Sequence, residues 1–235
     1  MITYSHQGQL AYRVVSQLLL LILLPTLLAA QSLEQKMEQA GLMDIKQVDP
    51  TIKVALMYAT NENFVGENMY GELKKAYLLP HFAEKLKRAQ QQLKADKGDD
   101  YSLIIYDAAR PLSVQRKMWN AVKGTPNTAY VASPNNGGGR HNYGAAVDIS
   151  IINLKTGEVV DMGSPVDHFG LRAHINDEAS LVKKGLITQE AANNRTYLMK
   201  LMNAQGLRAI RKEWWHFQER NSISYVRSTY KLLDF

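Results

Sequence analysis

The chain has 235 residues, 46% hydrophobic, 9% aromatic and 21% charged, a composition that excludes a disordered or fibrous protein. Its 28 Lys and Arg against 22 Asp and Glu leave a mild excess of +6, without a basic stripe interleaved with aromatics, which argues against a nucleic-acid partner. Cysteine is absent, so disulfides, a thiolate nucleophile, iron–sulfur clusters and Cys-type zinc fingers are excluded, and any metal must be held by carboxylates or by the six His.

The first thirty residues read as a secretory signal. Arg13 precedes an apolar stretch over 14–30, and Ala29 and Ala30 close it. Its uninterrupted core, 18–24, is shorter than the ~20 residues of a membrane span. Cleavage near Ala30 is expected, with residues 31–235 as the mature domain, no stable membrane span, and a periplasmic or secreted location.

The mature chain opens on a short helix or tether over 31–43. A strand follows at 52–56, then a polar segment at 60–71. From 78 to 95 the apolar positions Leu79, Phe82, Ala83, Leu86, Ala89 and Leu93 recur at helical spacing, with Pro80 in the first turn. Residues 101–106 (YSLIIY) form a strand, broken by Asp107-Ala-Ala-Arg110-Pro111. Ser113 is expected to cap a helix carrying Val114, Met118, Trp119 and Val122. Residues 124–139 are a loop, 145–152 a strand, and Thr156-Gly157 a hairpin turn. Thr188 starts a helix to about 204, stopped by Gly206. A last strand runs through 214–217. Strands and helices do not alternate strictly, which predicts one α+β domain with a central antiparallel sheet flanked by helices.

Two clusters carry chemistry, Gly137 to Asp148 and Glu213-Trp-Trp-His216. A catalytic zinc takes three His or carboxylate ligands and keeps one position open. His141, Asp148 and His216 would supply that set, with Glu213 as a spare carboxylate beside it. His141 and Asp148 are seven apart, so on one regular strand they would point to opposite faces. They converge only if His141 lies in a turn before Gly144 and Asp148 on the strand after it. Glu213 and His216 are three apart, unlike the two His of an HExxH helix, and the flanking aromatics favour a strand. His168 and His174 read as loop or surface residues.

These segments resemble the zinc D-alanyl-D-alanine dipeptidases of the VanX type, within the wider group of D-Ala-D-Ala and lysostaphin-like murein metallopeptidases. The resemblance runs from about Tyr58 to His216 and rests on five ordered segments: Tyr58-Ala-Thr-Asn-Glu-Asn-Phe-Val-Gly66, Asp107-Ala-Ala-Arg110-Pro111, Gly139-Arg-His141-Asn-Tyr-Gly144-Ala-Ala-Val-Asp148, Met162-Gly-Ser-Pro-Val-Asp167, and Glu213 to His216. It implies one zinc per chain on His141, Asp148 and His216, in a cleft on one face of the domain. It implies Glu213 as general base and then acid, and Arg110 as the group that polarises the scissile carbonyl. Asp167 and Tyr58 would line the pocket for the substrate's amino terminus, with Tyr70 as a further contact. The family serine two before the first zinc His is Gly139 here, which removes one hydroxyl from the site. The implied reaction is hydrolysis of D-Ala-D-Ala or related cell-wall peptides. A D,D- or L,D-carboxypeptidase acting on peptidoglycan peptides is the alternative.

Overall fold

The computed structural model describes residues 31–235, so the expected signal segment lies outside the described residues. In chain order the elements are α1 (Leu33–Gln39), β1 (Met43–Asp44), α2 (Ile45–Val48), β2 (Lys53–Val54), β3 (Tyr77–Leu78), α3 (Pro80–Lys97), β4 (Tyr101–Asp107) and α4 (Leu112–Val122). There follow β5 (Ala146–Asn153), α5 (Glu178–Lys183), α6 (Gln189–Ala204), β6 (Leu207–Ile210), β7 (Glu213–Glu219) and α7 (Ile223–Thr229). Residues 32–235 form one compact unit.

The main sheet has the order β2-β4-β5-β7-β6. Its antiparallel body is β4, β5, β7 and β6, whereas β2 joins the edge parallel to β4, so the sheet is mixed rather than purely antiparallel. The reason is topological: β2 and β4 are joined through α3, a crossover that returns the chain in the same direction. β1 and β3 pair as a separate two-stranded ribbon.

Side-chain alternation divides the labour of the sheet. On β5, Val147, Ile149 and Ile151 are buried on the face covered by helices, while Asp148 and Ser150 point the other way. On β7, Phe217 and Glu219 share the helix-facing side. Glu219 pairs there with Lys85 at 2.5 Å and His81 at 3.0 Å, both on α3. α3 buries Phe82, Ala83, Leu86, Ala89 and Leu93, the stripe expected from their spacing. Each such large apolar side chain contributes roughly 1.5–3 kcal/mol.

Several local signals resolve differently from the sequence reading. Thr188 does cap α6, accepting from the Ala191 N–H at 2.9 Å. Ser113 does not cap α4: the helix starts two residues earlier than such a cap would set, with Pro111 as the cap residue, and the Ser113 hydroxyl instead donates to the Phe235 carbonyl at 2.6 Å. The strand expected at 52–56 shrinks to Lys53–Val54, and β6, α5 and α7 were not anticipated. Each is short, and β6 turns into β7 through Arg211-Lys212, which carries no Gly or Pro turn signal.

Candidate metal centre and its cleft

The sheet face opposite α3 opens into a cleft of about 580 Å³. Its floor is built by cross-strand pairing: Asp148 of β5 lies directly opposite His216 of β7. His141 comes from a 3-10 turn, Arg140–Tyr143, that ends at Gly144 with φ +66°. Glycine adopts this conformation without strain, and a Cβ there would press on Leu42 Cδ2 at 2.7 Å. That left-handed step redirects the chain so that a His and an Asp seven residues apart face one point.

His141 Nε2, His216 Nδ1 and Asp148 Oδ1 converge. The two nitrogens are 3.1 Å apart, and the carboxylate oxygen is 3.4 Å from His141 and 3.1 Å from His216. A tetrahedral zinc with bonds of ~2.0–2.1 Å would set such edges at about 3.3 Å. The outer nitrogens are already committed. His141 Nδ1–H donates to the Ala108 carbonyl at 2.7 Å, and His216 Nε2–H donates to Gln218 Oε1 at 3.2 Å. Both imidazoles therefore aim lone pairs at the same point, an arrangement that a cation stabilises. The Asp148 carboxyl is held far below the usual carboxylate range: burial opposes ionisation, but His141 and His216 outweigh it. Among the described residues this is the one group of His and carboxylates placed to hold a metal ion, and its donor set fits zinc.

Glu213 opens β7, with Oε2 3.8 Å from His216 Nδ1. Burial pushes its carboxyl up to about 8, with His216 pulling it back. The shift suits a group that must take up and release a proton near neutrality.

Arg110 lines the cleft and is 6% exposed. Asp107 holds it through both Nε, at 2.9 Å, and Nη2, while Nη1 donates to Gln115 Oε1 at 2.9 Å. Its guanidinium also lies over the Tyr58 ring, 5.1 Å from the centroid. Burial would lower its pKa, but the Asp107 carboxylate reverses this and keeps the charge on. Arg110 thus combines the structural ion pair with a position on the cleft wall, its Nη2 3.8 Å from Asp148 Oδ2.

Tyr58 and Asp167 meet across 109 residues of chain, the Tyr58 hydroxyl donating to Asp167 Oδ2 at 2.6 Å. Burial raises both groups, Asp167 to about 7. Asp167 sits at φ +61°, a conformation that costs most residues and is best tolerated by Asn, Asp and Gly. Its segment is tied down by Arg195 of α6, whose buried guanidinium donates to the carbonyls of Met162 (2.5 Å), Arg172 (2.5 Å) and His174 (3.2 Å). Tyr70 does not line the cleft. Its backbone folds back onto the Tyr58 carbonyl, and its buried hydroxyl donates to Asp107 Oδ1 at 2.5 Å, behind Arg110. His168 and His174 are partly buried and stand outside the metal group, His174 facing the Tyr130 hydroxyl at 3.2 Å.

Among the supporting residues, Asp107 was legible as a salt-bridge partner of Arg110, and the structure makes that pair. Gln115, Gln218 and Arg195 gave no such signal, because an isolated polar residue in a helix or strand reads as solvent-facing until the fold buries it.

A family model described as D-ala-D-ala dipeptidase matches residues 38–232, an interval containing every candidate site residue. The chain is 28% identical over 184 residues to the D-alanyl-D-alanine dipeptidase of Escherichia coli, covering 78% of this chain and 87% of that protein. It is 32% identical over 180 residues to the D-alanyl-D-alanine dipeptidase of Enterococcus faecalis, covering 68% and 82%. The corresponding protein of Enterococcus faecium is 32% identical over 183 residues, covering 70% and 84%.

Proposed function

This chain belongs to the D-ala-D-ala dipeptidase family, and from that premise we propose that it is an exported zinc enzyme that hydrolyses the free dipeptide D-alanyl-D-alanine to two D-alanines. The observation that carries the reading is the convergence of His141 Nε2, His216 Nδ1 and Asp148 Oδ1 beside Glu213, in a cleft whose wall carries a further, partly buried carboxyl, Asp167. A bound zinc supplies Lewis-acid chemistry there, lowering the pKa of water toward about 7 and polarising a carbonyl.

The chain's own residues do the rest. Glu213 Oε2 takes the proton from the attacking water and passes it to the leaving amine, a contribution of roughly 10²–10⁴-fold. Arg110, fixed by Asp107 and Gln115, presents a permanent positive charge to the developing oxyanion with little reorganisation. Asp167, braced by the Tyr58 hydroxyl, receives the substrate ammonium. An internal peptide nitrogen carries no charge, so it leaves that carboxylate unpaired; this favours a free dipeptide over a longer chain.

Export rests on the apolar stretch at 14–30 and places the enzyme near cell-wall turnover products. Two measurements test the reading. Purified protein with zinc is incubated with D-Ala-D-Ala, L-Ala-L-Ala and a pentapeptide ending in D-Ala-D-Ala; rapid release of D-alanine from the first alone is expected. Equal or faster cleavage of the pentapeptide would move the assignment to a carboxypeptidase. Mass analysis of the protein recovered from cell fractions is expected to give an extracytoplasmic chain beginning near residue 31, and a full-length cytoplasmic chain refutes export.

A further inference from the structure

The cleft has a direction. Along β5 and β7, Asp148 and His216 mark the middle. Two residues one way, Ser150 and Trp214 line a second cavity shared with Met57, Ala59 and Val166, the chain neighbours of Tyr58 and Asp167. The Tyr58–Asp167 pair therefore walls off that end. Two residues the other way, Ala146 pairs with Gln218. Arg140 is anchored at this opposite end, its carbonyl accepting from the Ala145 N–H at 3.1 Å. The two levels are four strand residues apart, about 13 Å. An extended dipeptide spans about 7 Å, which leaves room for one hydrogen-bonding contact of about 3 Å at each end.

The end away from Asp167 is basic. Arg140 and Arg227 both line the cleft there. Arg140 is 8% exposed; its Nη2 donates to the Asn221 carbonyl at 2.5 Å, and its Nη1 is buried with no partner. Arg227, on α7, is exposed and donates from Nη2 to the Gly138 carbonyl at 2.7 Å. Glu219 is already engaged by Lys85 and His81, although its second oxygen has no partner. A buried guanidinium with a donor unspent, beside a second arginine on the same cleft wall, is suited to an anion.

We propose that Arg140 and Arg227 form the subsite for the free C-terminal carboxylate of the substrate, opposite the ammonium subsite at Asp167. The inference rests on the dipeptidase reading and deepens it. The cleft then matches a zwitterion: carboxylate at the basic end, ammonium at the acidic end, and the scissile bond between them at the metal ligands. A guanidinium pair suits a planar carboxylate, which it can grip through two parallel N–H donors.

The test compares D-Ala-D-Ala with D-alanyl-D-alaninamide, which keeps the ammonium and the scissile bond but carries no carboxylate. Wild type is expected to favour the acid by about 10–100-fold in kcat/KM, the worth of a charge-assisted contact. Arg227→Gln and Arg140→Gln should each cut kcat/KM for the acid about tenfold or more, leave the amide within about twofold, and so collapse the preference. Arg140→Lys and Arg227→Lys should restore part of it. A reading independent of turnover comes from calorimetry in a Glu213→Gln background, where each Arg→Gln change should weaken D-Ala-D-Ala binding and spare the amide. If Arg140→Gln fails to fold, Arg227→Gln decides, since its side chain is exposed on the last helix. An unchanged acid-to-amide ratio, or equal losses on both substrates, overturns the inference and leaves the dipeptidase reading standing. A wild-type enzyme that cleaves neither substrate removes both.

Discussion

Asp167→Asn should weaken the enzyme and stabilise the protein at once. Asn keeps the volume, tolerates φ +61° and can still accept from the Tyr58 hydroxyl, so the perturbation is the charge alone. A carboxylate about 4 Å from an ammonium, at an effective dielectric constant of about 20, is worth about 4 kcal/mol before desolvation. A net loss of about 2–4 kcal/mol corresponds to about 30–1000-fold in kcat/KM for D-Ala-D-Ala. The pH dependence has a definite sign. Burial raises the Asp167 carboxyl from 3.8 to about 7, so between those values the folded state holds a proton that the unfolded state has lost. Stability therefore falls as pH rises through that window. Above pH 7 the ionised group costs up to about 4 kcal/mol, reduced by water entering the cleft. Removing it should raise the Tm of the metal-free protein at pH 8 by up to about 10 °C, with no gain at pH 4. Differential scanning fluorimetry at the two pH values and steady-state kinetics on zinc-loaded protein make the check. A lower Tm at pH 8, or a kcat/KM within twofold of wild type, would refute the assignment of Asp167 as a strained, charge-bearing substrate contact.

Glu213→Gln should retain zinc by elemental analysis and lose roughly 10²–10⁴-fold in kcat, because the carboxylate moves the proton without being a ligand; loss of zinc would make it one. His141→Ala, Asp148→Ala and His216→Ala should each lower bound zinc below one per chain, and chelation of the wild type should abolish activity; full occupancy in all three would mean that the ligands lie elsewhere. Glu219→Gln tests the helix-facing side of the same strand. Hydrogen bonding to His81, then Lys85, depresses the Glu219 carboxyl to about 2, so its stabilisation is complete above about pH 4.5 and is lost as pH falls toward 2. The variant should melt about 2–6 °C lower at pH 7, converge with wild type near pH 2, and keep normal kcat, since Glu219 faces α3 and not the cleft. A large drop in kcat with unchanged Tm would place the proton carrier on the wrong face of β7.

The turn and the strands that carry the candidate metal ligands were legible in the sequence because those features are local, whereas the pairing of β5 with β7 is what brings His216 to Asp148. A turn ending at Gly144 and the alternation of one strand are enough to bring His141 and Asp148 to one point, and the aromatics around Glu213 and His216 argue for a strand. The long helices were legible for the same reason: the apolar spacing read over 78–95, where the helix runs Pro80–Lys97, and the Thr188 cap depend only on near neighbours. Tertiary structure alone decided what depends on distant partners. β2 is parallel because α3 carries the chain across the sheet. Ser113 does not cap because it lies inside α4, where its hydroxyl donates to the Phe235 carbonyl, 122 residues away in the chain. Tyr70 left the cleft because Asp107, 37 residues away, holds its hydroxyl. Nothing in the sequence singles out Arg140 beside the glycines 137–139; burial at the end of the cleft, with one nitrogen unpartnered, makes it a candidate for binding. Backbone periodicity can be read along the chain, but the solvation of a charge depends on the neighbours that the fold places around it.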